Sequence, residues 1–241
     1  ASASLKASEQ LGNLRARQAW ARVQDAPAGS PLFDTGRQEL GQALELLTAM
    51  ATLQPTIERH SLCGSAWKRL ALLERRAGNA DAERDAVRKA AEAYRRAEAL
   101  ASASRHPDLF YPALNRMAAE LVAGLADPAW AGFDASATAV VRQSLQARNL
   151  QDPDFWSMVG LAELELYTAL AGHRLVEHRP ALEAGFADVH THVPATSLWG
   201  SVADQAAFVL EPWRQAVAGA EGDAAAALLA LLQGYATPRR G

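Results

Sequence analysis

A chain of 241 residues, 49% of them hydrophobic, is long enough to bury a sizeable core as one large domain or two small ones. Its net charge of −3 divides unevenly: residues 1–120 carry 17 basic and 14 acidic side chains, the remainder 7 and 13. A difference of +3 against −6 excludes the concentrated basic face of a nucleic-acid-binding domain, the lone Cys63 excludes an intrachain disulfide, and no apolar run approaches the ~18 residues of a membrane span.

The chain is therefore expected to be cytoplasmic, with neither nucleic acid nor membrane as partner, and both ends read as cuts from a longer polypeptide. Alanine and leucine dominate and Ile57 is the only isoleucine, so no stretch offers the β-branched alternation a strand needs. The expected fold class is all-α, an antiparallel helix-pair array of about ten helices.

In chain order, residues 4–25 form a weakly amphipathic helix that the run Ala26-Pro27-Ala28-Gly29-Ser30-Pro31 ends. Asp34 or Thr35 starts a second helix with Leu40, Leu44, Leu47 and Ala51 on one stripe, stopping before Pro55. The stretch from Thr56 to Ala77 carries apolar residues at Leu62, Ala66, Leu70, Leu73 and Ala77. That from Ala80 to Ala103 carries Ala86, Ala90, Tyr94, Ala97 and Ala101, and Gly78-Asn79 between the two is a helix stop, which makes an αα-hairpin. A further helix follows Tyr111-Pro112, and Asp134 caps the next, Ala135 to Leu150. Asp152-Pro153 restarts the chain with proline at a first helical position, and the helix that follows, Phe155 to Ala171, is apolar almost all round. Arg174 to Val193 is weaker, interrupted by Pro180 and Gly185, and Asp188 to Ser197 reads as irregular. Thr196 caps a helix with Leu198, Val202, Ala206, Val209 and Trp213 in register. A last helix, Asp223 to Tyr235, leads into a linker from Thr237 to Gly241. The expected domains are a cap at 1–33, a repeat array at 34–217, and a terminal helix with linker at 218–241.

Gly64 and Trp67 on the hairpin's first helix, with Ala90-x3-Tyr94-x2-Ala97 on its second, resemble the packing positions of a tetratricopeptide repeat. Together with Tyr111-Pro112-Ala113-Leu114-Asn115 and Asp154-Phe155-Trp156, they make residues 35–215 similar to the tetratricopeptide-like helical region of bacterial multidomain proteins. That region is also similar to the TRAF-binding helical domain of stress-activated kinase kinase kinases, and in bacteria it accompanies effectors such as caspase-like peptidases. The resemblance implies an α-solenoid with a regulatory, protein-binding role. In such repeats the first helix of each pair lines a groove, which assigns Ser65, Lys68, Arg69 and Arg76 to the partner-binding surface, joined by Asn115 from the next pair. Donors of these types suit the carboxylates of an acidic segment or a chain terminus.

No catalytic constellation emerges. His60 lies three residues before Cys63, but a cysteine at a helix packing position reads as core. Glu163 and Glu165 diverge, and His190 and His192 point roughly 200° apart on a helix, leaving no metal site. Trp67, Trp156, Trp199 and Trp213 read as core anchors. The expected function is thus a scaffold or regulatory domain, not itself an enzyme, without cofactor or metal, binding a peptide segment or an effector domain of its own chain. The rival reading is a ligand- or nucleotide-sensing helical domain that regulates an attached effector enzyme.

Overall fold

A computed structural model describes residues 2–237, with side chains from Leu5 onward. Pro238 to Gly241, where the linker was expected, lie outside the described residues. Ten helices follow in order: α1 (Ser2–Val23), α2 (Leu32–Leu53), α3 (Ile57–Ala77), α4 (Ala80–Ala103), α5 (Phe110–Gly124), α6 (Ala135–Gln151), α7 (Phe155–Ala171), α8 (Leu175–His192), α9 (Thr196–Ala216) and α10 (Ala220–Ala236). The described residues contain no strand. The all-α reading of the sequence holds. Contacts divide the chain into two compact units, one ending at Glu120 and one beginning at Leu121.

In the N-terminal unit α1 packs against both α2 and α3, and α3 pairs with α4. Helix α3 starts where Thr56, held extended after Pro55, accepts the Arg59 N–H at 3.1 Å. It stops where Gly78 takes the left-handed conformation, φ +78°, and the Asn79 N–H returns to the Glu74 carbonyl at 2.9 Å. Only Gly78 and Asn79 separate the two helices, so both are long, 21 and 24 residues. The α4 stripe of Ala86, Ala90, Tyr94, Ala97 and Ala101 is wholly buried. So is the α2 stripe of Leu40, Leu44, Leu47 and Ala51, although α2 begins two residues earlier than the expected cap, behind Pro31.

In the C-terminal unit α7 lies between α6 and α8, and α10 packs on both α8 and α9. Asp134 caps α6 as expected, accepting the Ala137 N–H at 2.8 Å. Two starts differ from the sequence reading. Asp154, not Pro153, governs the start of α7, through a capping box with Ser157. The residue before α9 is Ala195, whose side chain offers no cap, and Thr196 is already helical. Helix α8 is continuous through Pro180 and through Asp188–His192, which corrects the expected irregularity. Proline in the second turn leaves only the carbonyl of Val176 without its helical donor, and Val176 is exposed to water. The core here is aromatic, with Tyr167, Phe186, Trp199, Phe208 and Trp213 fully buried. One tryptophan departs from the core assignment, Trp156 at 43% exposure, whereas Trp67 is half-buried against the core of the N-terminal unit with the Lys89 ammonium 4.6 Å from its ring centre. Within the described residues no helix is long and apolar enough to cross a membrane.

Candidate partner-binding surface

The close approach of α3 and α4 rests on one contact. A Cβ placed on Gly64 would lie 2.7 Å from the Tyr94 ring, so glycine there is what allows the ring to enter. Buried to 1% exposure, Tyr94 has its phenol pushed far above the ordinary range, and its hydroxyl hydrogen-bonds Ser65. Ser65 in turn accepts from Arg69, whose guanidinium reaches the hydroxyl at 2.6 Å and the Ser65 carbonyl at 3.1 Å, one turn back on the same helix. The charge of Arg69 also acts on the phenol of Tyr111, at the start of α5. One turn further along α5, the Asn115 amide donates to the Tyr111 carbonyl at 3.0 Å.

The assigned residues are therefore only partly gathered. Ser65 and Arg69 touch directly, and the charge of Arg69 acts on the Tyr111 phenol of α5, whereas the Asn115 amide bonds only to the Tyr111 carbonyl of its own helix. Lys68 lies half-buried beside them in sequence. Arg76 departs from the group: its guanidinium donates to the Ala26 carbonyl at 3.0 Å and fastens the α1–α2 loop. At two turns beyond Arg69 the helix repeat keeps the stripe, but the long side chain follows an available carbonyl.

Sequence reasoning missed the buried charges. Glu9 and Arg59, at 5% and 7% exposure, pair across α1 and α3, Nε donating to Oε1 at 2.6 Å, and Arg59 also donates to the Gln54 carbonyl at 2.7 Å. The available signal was that Glu9 is the one carboxylate in α1. Glu74, at 3% exposure, takes two bonds from Arg37, at 2.6 and 2.9 Å, and a third from the Asn79 amide at 2.7 Å. Burial by itself would raise the Glu74 carboxyl, but these donors outweigh it and hold the group below its usual range. Burial pushes the Cys63 thiol up, away from the thiolate a nucleophile requires, and lowers His60, with Arg96 adding to the effect. His190 stacks on Tyr235 at 4.1 Å, while His192 turns its Nδ1 to the Asp188 carbonyl at 2.8 Å. Among the described residues no three His, Cys, Asp or Glu side chains group so as to hold a metal ion.

Residues 1–121 match the family model described as Tetratricopeptide Repeats-Sensor, whereas no curated protein and no solved structure matches the chain. The match begins well before residue 35, where the repeat resemblance was drawn, and takes in α1 with the helices it packs on. It ends one residue past the N-terminal unit and carries the Gly64–Tyr94 contact at its centre, so this chain belongs to the Tetratricopeptide Repeats-Sensor family.

Proposed function

We propose that the N-terminal unit is a cytoplasmic, non-catalytic interaction module that holds an acidic protein segment or chain terminus against α3 and α5. The segment belongs to a separate partner or to an effector domain of the same longer polypeptide, as in the bacterial effector-associated proteins and the TRAF-binding helical domains it resembles. The single observation that carries this reading is the Arg69 guanidinium, anchored on Ser65 of α3 and near enough to act electrostatically on the Tyr111 phenol of α5. Arg69 offers a carboxylate a planar pair of donors, and it stands beside the Ser65 hydroxyl and carbonyl that orient it. The reading is supported by the family match, since tetratricopeptide-type repeats generally mediate protein–protein contacts.

The test is binding of a fluorescein-labelled octaglutamate peptide at low ionic strength, followed by anisotropy. Wild type should bind, and Lys68→Glu/Arg69→Glu should abolish binding. The melting temperature of the double variant should fall by no more than a few degrees, because part-exposed charges contribute about 0.2–1 kcal/mol each. Undiminished peptide binding by that variant would remove α3 from the interface.

A further inference from the structure

Helix α1 carries two stripes. Gly12, Ala16, Ala19 and Val23 turn inward, into the core made with α2 and α3. The second stripe, Ala7, Leu11, Leu14, Gln18 and Ala21, faces water over about 21 Å of the helix, with Leu11 43% and Leu14 51% exposed. Its steps of four, three, four and three residues are the repeat of a coiled-coil seam, narrower than the apolar face a helix turns to a core. An outward helix face is ordinarily solvated by charges of both signs, and α4 shows one: Asp81–Arg84, Asp85–Lys89 and Glu92–Arg96 pair three or four residues apart. The outward face of α1 has apolar side chains where α4 has ion pairs.

The charges beside this seam have one sign. Arg15 and Arg22 border it on one side and Arg17 on the other. Arg22 reaches Glu39 of α2, while Arg15 and Arg17 are exposed and have no ion pair among the described residues. Glu9, the one carboxylate of α1, is turned inward onto Arg59. A second copy of the chain laid along the seam would set these arginines against their own counterparts, which like charge opposes. A helix that lies in a lipid surface needs a broad apolar face, whereas this one offers two leucines between alanines and a glutamine. We infer that the outer face of α1 docks an amphipathic helix of a partner protein, one with apolar residues at the same three-and-four spacing and glutamate or aspartate on both sides of them. Leucines from the two helices interlock, and the carboxylates meet Arg15 and Arg17. This face is on α1 and is distinct from the surface proposed on α3 and α5.

The probe is a fluorescein-labelled peptide of three Glu-Ile-Ala-Ala-Leu-Glu-Lys heptads, which carries Ile and Leu on its seam and Glu on both flanks. It is titrated with the full chain at physiological ionic strength and followed by anisotropy, beside the same peptide with Lys at the flanking Glu positions. One acidic peptide per chain should bind, and the basic peptide should bind more weakly by about tenfold or more. Leu11→Glu/Leu14→Glu should weaken the acidic peptide by about tenfold or more with no fall in melting temperature, both side chains being largely in water. Arg15→Glu/Arg17→Glu should reverse the preference between the two peptides. Lys68→Glu/Arg69→Glu should bind the acidic peptide as wild type does, which keeps this face apart from the α3–α5 surface. The assignment is overturned if the acidic peptide does not bind, if the leucine variant binds as tightly, if the arginine variant keeps the wild-type preference, or if binding is lost with Lys68 and Arg69. It is equally overturned if the leucine change instead abolishes dimerisation in analytical ultracentrifugation or sedimentation with phosphatidylserine-containing vesicles, which would give the seam to a second copy or to a lipid surface.

Discussion

Gly64 and Tyr94 share one volume, and neither tolerates enlargement of the other. Tyr94→Ala should cost about 3–5 kcal/mol, as for other buried aromatic truncations, and Gly64→Leu should be comparably damaging because the helices are driven apart. Urea unfolding followed by circular dichroism measures both, and a midpoint within experimental error of wild type for either would break the packing register. This contact was legible beforehand. Small residues at 90 and 97 around an aromatic, opposite a glycine, state a complementarity of shape that survives without coordinates. What was not legible was where long charged side chains end. Arg59 and Arg76 both carry a charge on α3, yet one is buried on Glu9 and the other reaches a loop carbonyl, because guanidinium reach exceeds the resolution of a helical stripe.

At the scale of the helix, one carboxylate closes a gap that local sequence leaves open. Nothing at Arg174 caps α8, and the task falls to Glu221 on α10, whose two oxygens accept the N–H groups of Leu175 and Val176 at 3.1 and 3.0 Å. Glu221→Ala should cost about 0.5–2 kcal/mol, in the range of a lost helix cap, and should speed hydrogen exchange at those two amides specifically. Uniform exchange across α8 in that variant would mean the carboxylate is not a cap. The weak sequence signal for α8 has its physical source here. A helix whose first turn is satisfied from 45 or 46 residues away carries no capping residue of its own to be read. The stop at Gly78 and the cap at Asp134 were readable because their chemistry is contained within a few residues.

Across the whole molecule, acid should act through carboxylates held below their usual range. For Glu74, Arg37 and Asn79 outweigh the effect of burial; for Asp154, burial is outweighed by the Ser157 N–H and Arg148. A carboxyl with a folded pKa below its unfolded one binds more protons when unfolded, so its stabilisation is present above the unfolded value and is lost as pH falls through the folded one. Unfolding free energy should therefore start to fall below about pH 6.5, where His60, lowered by burial, takes up a proton more readily in the unfolded chain, and decline further below about pH 4.5 as the carboxylates follow. Glu74→Gln should be less stable at pH 7 and decline less steeply, and denaturant melts between pH 3 and 7 would reveal an unchanged slope if the pairing were inconsequential. Helix order and core faces were thus readable over the whole chain. The division between Glu120 and Leu121 was not, because it falls inside α5, where helical periodicity continues without a break.

The buried Glu9–Arg59 pair has a consequence for how the chain is made. Fifty residues separate the partners, and at about 5–20 residues per second a ribosome adds them in about 3–10 s. Throughout that interval α1 is synthesised and lacks the guanidinium that pairs with Glu9 in the folded unit. Helix α1 packs on α2 as well as α3, so it can meet α2 first, and its docking on α3 waits for Arg59 to be made.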